Sequence, residues 1–302
     1  MLYLIGLGLA DETDITVKGL NIVRSAARVY LEAYTSILLV PPSTLEAYYG
    51  RPVILADREM VETRSDEILA GAGPRTSKAA AGGDDDKSEN SDDIAFLVVG
   101  DPFSATTHSD LVLRARQFHI PVRSIPNASI LSAIGATGLQ LYNFGQTVSM
   151  VFFTDTWKPA SFYDRVRENR AVGLHTLVLL DIKVKEASEE NLARGRAHVY
   201  EPPRYMTVGQ CAGQMLEVEE EVKREGVYGR GSLAVGVARM GARDQEMVAG
   251  TLEQLVHVDL GAPLHSLVLL GSRTHEMERE FIRAYAVDEE VFDRAWEENQ
   301  QK

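Results

Sequence analysis

Glycine, proline and aspartate cluster at two points where an apolar run stops, and both are candidates for ligand chemistry. The first is Gly6-Leu7-Gly8, at the end of the run MLYLIGLGL. Glycines at the carboxyl end of a strand let a ligand approach the backbone, in the crevice where open α/β sheets bind ligands. A dinucleotide fingerprint would need a glycine where Asp11 stands and a helix opening at once, but the first capping residue is Thr16. A plain tight turn is the other reading. The second point is Gly100-Asp101-Pro102-Phe103-Ser104-Ala105-Thr106-Thr107-His108. Asp101 puts a carboxylate at a strand end, Pro102 restricts the backbone beside it, and Thr106 and Thr107 are candidate helix caps. Its place at the carboxyl end of a buried strand makes the loop a candidate ligand site. A turn without a ligand is the alternative.

Other chemistries lack their residues. There is no phosphate-cradling G-x-x-x-x-G-K-[ST], and His275-Glu276 lacks the second histidine of a zinc-protease helix. Gly209-Gln210-Cys211-Ala212-Gly213 imitates a nucleophile elbow, but Cys211 falls on the apolar stripe of a helix and reads as a buried structural thiol. His257, Asp259 and His265 match no familiar ligand spacing, so no metal is expected. No residue stands out as a general base, and the catalytic residues stay unassigned.

These loops need a scaffold, and the chain supplies alternating strand and helix patterns. Strands are expected at the amino-terminal run, RVYLEAY (28–34), RPVILA (51–56), IAFLVVG (94–100) and IPVRSI (120–125). Helices are expected after Thr16, over 58–70 and over 108–118. IAFLVVG is apolar throughout, as for a strand covered on both faces of a parallel sheet. In the second half, helix 129–141 precedes strands TVSMVFF (147–153) and HTLVLLDI (175–182). Between them lies a helix capped by Ser161 with Asp164 three residues on. Val208, Cys211, Met215, Val218 and Val222 repeat at helical spacing over 207–225, SLAVGVARM (232–240) and HSLVLLG (265–271) read as strands, and 274–302 as helical and charged.

The chain has 302 residues, near the size at which one core divides into two. The turn Pro126-Asn127 marks the expected boundary, giving domains 1–126 and 127–302. Residues 71–93 contain no Val, Ile, Leu or aromatic residue and read as a disordered surface insertion. A net charge of −13 argues against broad nucleic-acid binding, while leaving room for a protein partner with a basic face. No apolar run is long enough to span a membrane, and the acidic start does not read as a signal peptide. The single cysteine suits a reducing compartment, so a cytoplasmic location is expected.

Longer strings carry more information than any single motif. MLYLIGLGLADETDITVKGL, VYLEAYTSIL, FLVVGDPFSATTHSDLVLRA, IPNASILSAIGATGLQLYNFG, FFTDTWKPASF, LLDIKVKE, YEPPRYMTVGQ, VGVARMGARDQ and VDLGAPLHSLVLLG resemble the eukaryotic diphthine synthase family across most of residues 1–271. The resemblance implies the tetrapyrrole-methylase-like (class III methyltransferase) fold, in which two α/β domains flank a cleft for S-adenosylmethionine, and a homodimer. It implies methylation of a histidine of elongation factor 2 that carries a 3-amino-3-carboxypropyl group. The amine would be trimethylated and the carboxylate methylated, giving diphthine methyl ester. It also implies cofactor contacts at Leu9, Asp101, Ser104, Ser129, Ile130, Leu180, Met240 and His265, drawn from both domains. Ser104 stands where glycine is common in eukaryotic relatives, a change that a backbone contact would survive. Two other readings compete: a methyltransferase of the same fold acting on a small tetrapyrrole-like substrate, and a non-catalytic scaffold for translation factors.

Overall fold

The computed structural model describes residues 1–34, 36–72, 92–184 and 200–300, and its contacts fall into two units, Met1–Ile130 and Leu131–Lys302. Residues 127–130, expected to open the second domain, therefore belong with the first unit.

In the first unit, strands β1 (Leu2–Gly6), β2 (Arg28–Glu32), β3 (Ile54–Ala56), β4 (Ile94–Val98) and β5 (Val122–Ile125) form a parallel sheet of order β3-β2-β4-β1-β5. The continuous apolar run forms the central strand β4, buried along its length. Successive side chains of a strand point to opposite faces. Leu2, Leu4, Ile94, Phe96 and Val98 accordingly pack with Leu111 and Ala115 on one side. Tyr3, Ile5, Ala95 and Leu97 pack with Val23, Leu45 and Tyr49 on the other. Thr16 caps helix Val17–Ser25 by accepting from Gly19 N at 3.0 Å, as its position in the sequence predicts.

The expected helix 58–70 is two short helices, Arg58–Glu62 and Ser65–Leu69. Residues 73–91 of the expected insertion lie outside the described residues, but its ends belong to the body of the unit. Ala72 packs in the core, and Asp93 Oδ1 lies 2.8 Å from the Met1 nitrogen.

The second unit contains β6 (Val148–Met150), β7 (Thr176–Leu180), β8 (Ile182–Lys183), β9 (Arg204–Tyr205), β10 (Leu233–Ala238), β11 (Glu246–Thr251) and β12 (His265–Leu269). Its main sheet is mixed, of order β11-β10-β12-β7-β6; only β6 and β7 run parallel, while β8 and β9 form a separate antiparallel pair. The expected helix 129–141 is broken into Ile130–Ala133 and tighter turns at Ile134–Thr137 and Leu141–Asn143, with Gly138 in the left-handed region at φ 84°.

Ser161 does not cap its helix: it is the first helical residue of Ser161–Ala171, and Asp164 pairs with Arg167 at 3.0 Å. Val208, Cys211, Met215 and Val218 line the core as their spacing implies, but Val222 is 53% exposed. After helix Val208–Glu217 the chain continues as a π-helix over Val218–Lys223. The wider turn rotates Val222 off the stripe. Residues 276–283 and 289–300 are helical, as expected for the carboxyl-terminal segment.

Candidate functional site

In the first unit the two glycine loops close on each other. Gly8 and Gly100 form an antiparallel bridge, with Gly100 N donating to Gly8 O at 2.7 Å and Gly8 N to Gly100 O at 3.2 Å. Both have positive φ, 79° and 76°, a region glycine enters without strain. At Gly6 the constraint is space: a Cβ there would stand 2.6 Å from Gly100 O and 2.7 Å from Asn127 Cβ. The Leu9–Ala10 turn wraps the Asp14 carboxylate, whose Oδ2 accepts from Leu9 N at 3.2 Å and Ala10 N at 2.8 Å.

Asp101 follows this bridge, with its carboxylate held by its own loop. Oδ1 accepts from Phe103 N at 2.9 Å and from Ser104 Oγ at 3.3 Å; Oδ2 accepts from Asn127 N at 3.2 Å. A carboxylate has about four acceptor sites, so these bonds organise the loop and leave capacity for a ligand donor. Asn127, expected only as a turn residue, is the hub. Its Nδ2 donates to Gly6 O at 2.9 Å and Asp14 O at 3.0 Å, and its Oδ1 accepts from Ala128 N at 2.7 Å. A Cβ on Gly100 would lie 3.7 Å from Ala128 O and 3.8 Å from both Leu9 Cδ2 and Ser129 Cα. The structure thus gathers Leu9, Asp101, Ser104 and Ser129 about one backbone corner, with Ile130 next in the chain. Below the loop, the fully buried His108 lies 3.3 Å from Pro102 O through Nδ1 and packs edge-on to Phe96.

In the second unit, sheet register brings the remaining residues to one end of the sheet. Ala238 at the end of β10 pairs with His265 at the start of β12, and Ser266 pairs with Leu179 near the end of β7. Leu180 is the last residue of β7, and Met240 lies two residues past the end of β10. His265 is buried; Val208 N lies 3.4 Å from its Nδ1, and its Nε2 lies 3.0 Å from Ala262 O. That pattern fits the neutral ring with the proton on Nε2. Burial also pushes its pKa below the usual histidine value. Arg239 fixes the loop that leads into His265. Its Nη1 donates to Leu260 O at 2.7 Å and to Ala262 O, and its Nε pairs with Asp244 at 2.8 Å.

Asn127 and Arg239 are not legible in the sequence because each works through distant main-chain atoms, whereas Asp14 acts locally on Leu9 N and Ala10 N. Their only local signals were the turn at Pro126 and the D-x-T-D cluster at 11–14. Cys211 is buried, and burial pushes its thiol pKa up, away from reactivity. His257, Asp259 and His265 form no candidate metal group among the described residues.

The model of the Tetrapyrrole (Corrin/Porphyrin) Methylases family matches residues 1–256. The chain belongs to this family. A diphthine methyl ester synthase of Gibberella zeae is 67% identical, over 98% of this chain and 97% of its own length. Another of Aspergillus fumigatus is 68% identical, over 98% and 97%. A crystal structure of a diphthine synthase superposes with a TM-score of 0.75 at 31% identity, covering 97% of this chain and 98% of its own. The methylase is thus an α/β enzyme that transfers methyl groups from S-adenosylmethionine. The first-unit corner suits that donor chemically: one carboxylate with acceptor capacity beside the half-buried apolar Leu9 and Ile130.

Proposed function

We propose that this methylase is a diphthine methyl ester synthase of diphthamide biosynthesis. It acts on elongation factor 2 at a histidine carrying a 3-amino-3-carboxypropyl group. The observation that carries the reading is identity above 65% along nearly the whole length of relatives with that name.

S-adenosylmethionine supplies an electrophilic methyl on a sulfonium, so the protein's task is mainly alignment; proximity and orientation are worth several kcal/mol of barrier. In this reading Leu9, Asp101, Ser104, Ser129 and Ile130 hold the donor from the first unit and Leu180, Met240 and His265 from the second. Asp101 accepts from its amine or hydroxyl groups. Leu180, Met240 and the neutral His265 give it an uncharged, largely apolar lining. The acceptor carboxylate is ionised at neutral pH and reacts directly, whereas the amine must first lose its proton. The protein acts as a homodimer in the cytoplasm. No helix among the described residues is long and apolar enough to cross a membrane.

The test is incubation with S-adenosylmethionine and elongation factor 2 bearing the unmethylated group, followed by intact-mass analysis. Addition of four methyl groups, three on nitrogen and one as an ester, is expected. A limit of three with excess donor would contradict the ester step, and no addition would contradict the substrate. Sedimentation giving only a species near the chain mass of 33.3 kDa at micromolar protein would contradict the dimer.

A further inference from the structure

Arg204 differs from the other ion-paired arginines of its unit. Arg167, Arg230, Arg239, Arg279 and Arg283 each have a carboxylate oxygen within 3.0 Å. For Arg204 the nearest among the described residues is Glu201 Oε2 at 3.9 Å, and the Arg204 side chain is 55% exposed. Its guanidinium instead lies over the Phe152 ring, 5.3 Å from the centroid.

That platform is firmly placed. Met150 pairs with Leu180 across the parallel strands β6 and β7, so the residues that follow each strand run side by side. Asp181, next after Leu180, accepts from Phe152 N through Oδ2 at 3.1 Å, and its main-chain oxygen accepts from Met206 N at 3.0 Å. One aspartate thus fixes both Phe152 and the strand that carries Arg204. A stacked guanidinium presents a planar fork of donors that matches a carboxylate in a bidentate manner. Its place, beside the end of β7 that bears Leu180, is where an acceptor group would need to lie in the proposed function.

We propose that Arg204 is the residue that binds the carboxylate of the acceptor amino-acid group and turns the adjacent amine toward the methyl donor. The inference rests on the function proposed above. While the carboxylate is held by Arg204 its oxygens are occupied, so amine methylation precedes ester formation. The ester forms only after the carboxylate leaves the guanidinium.

The experiment uses the full chain and elongation factor 2 bearing the unmethylated group, with methyl positions resolved by tandem mass spectrometry. Arg204→Gln is expected to raise KM for the factor at least tenfold and to lower kcat for amine methylation, with S-adenosylmethionine affinity and melting temperature unchanged. Its early products should include ester on incompletely methylated amine, a species absent with the unaltered enzyme, and Arg204→Lys should recover part of the KM. An unchanged KM and product order in Arg204→Gln, or a KM rise accompanied by lost donor affinity, would overturn the role. Failure of the unaltered enzyme to methylate this factor would instead overturn the proposed substrate, and the inference with it.

Discussion

The corner around Leu9, Gly100 and Asp101 and the strand ends bearing Leu180, Met240 and His265 are built by different means. The first is made of turns. Two glycines with positive φ bridge each other, and two buried or half-buried polar side chains, Asp101 and Asn127, are spent on main-chain groups. The second is made of register. β10 and β12 pair antiparallel, as do β12 and β7, so residues far apart in the chain share one sheet end. A turn-built corner depends on individual atoms and fails when one is altered. A register-built corner depends on the whole sheet and tolerates local change.

The sharpest way to break this contrast is at Gly6. A methyl there meets a carbonyl oxygen and a Cβ well inside contact distance, neither of which can yield without moving the bridge. Overpacking of this kind costs about 1–3 kcal/mol and sometimes more. Gly6→Ala is expected at or above the top of that range by urea denaturation, and a loss below about 1 kcal/mol would show the corner to be pliable. Asn127→Ala comes next. It removes the donor to Gly6 O and Asp14 O, and net contributions of such bonds are about 1 kcal/mol each, so a loss of about 2 kcal/mol is expected in the same measurement. Equal stability of Asn127→Ala and the unaltered chain would remove Asn127 as the hub.

Acid probes both corners together. His108, His175 and His265 are buried, and burial lowers the pKa of each below the usual value near 6.5. Below about pH 6.5 the unfolded chain therefore binds protons that the folded chain does not. The stability these neutral rings preserve is complete above that pH and declines as pH falls toward their folded values, by up to about 1.4 kcal/mol per pH unit for each ring. Melting temperature should fall between pH 7 and pH 5.5, and less steeply in His265→Gln. Identical slopes would mean that His265 is not held neutral. The smallest effect has the opposite sign. Gly213 lies within helix Val208–Glu217 with nothing within 4 Å of a would-be Cβ, so Gly213→Ala should stabilise by about 0.5–1 kcal/mol. A destabilisation there would mean that the register-built unit is as tightly fitted as the turn-built one.

The same contrast governs what the sequence discloses. Gly6, Gly8, Thr16, Gly100, Asp101 and Pro102 are local punctuation, and the loops they define are legible without any relative. Strand β4 was legible because a strand covered on both faces is apolar throughout. The second-unit residues became visible only through family resemblance, since no local pattern states that β12 lies between β10 and β7. The glycine and acidic start of strand β11, EMVAGT, hide its alternation. Helical periodicity puts Val222 on the apolar stripe because it assumes a constant turn, and the π-helix breaks it. From the sequence Asn127 is only a turn residue, because its partners, Gly6 and Asp14, lie more than a hundred residues away.

Titration calorimetry with S-adenosylmethionine, comparing the unaltered chain with Asp101→Ala, tests the central claim that the turn-built corner holds the methyl donor. A charge-assisted bond to the donor is worth roughly 1.5–3 kcal/mol, or about 10- to 150-fold in affinity. The account expects at least a tenfold weaker dissociation constant in a variant that still melts cooperatively. Unchanged affinity in such a folded variant would contradict it, leaving Asp101 as a residue that only shapes its loop.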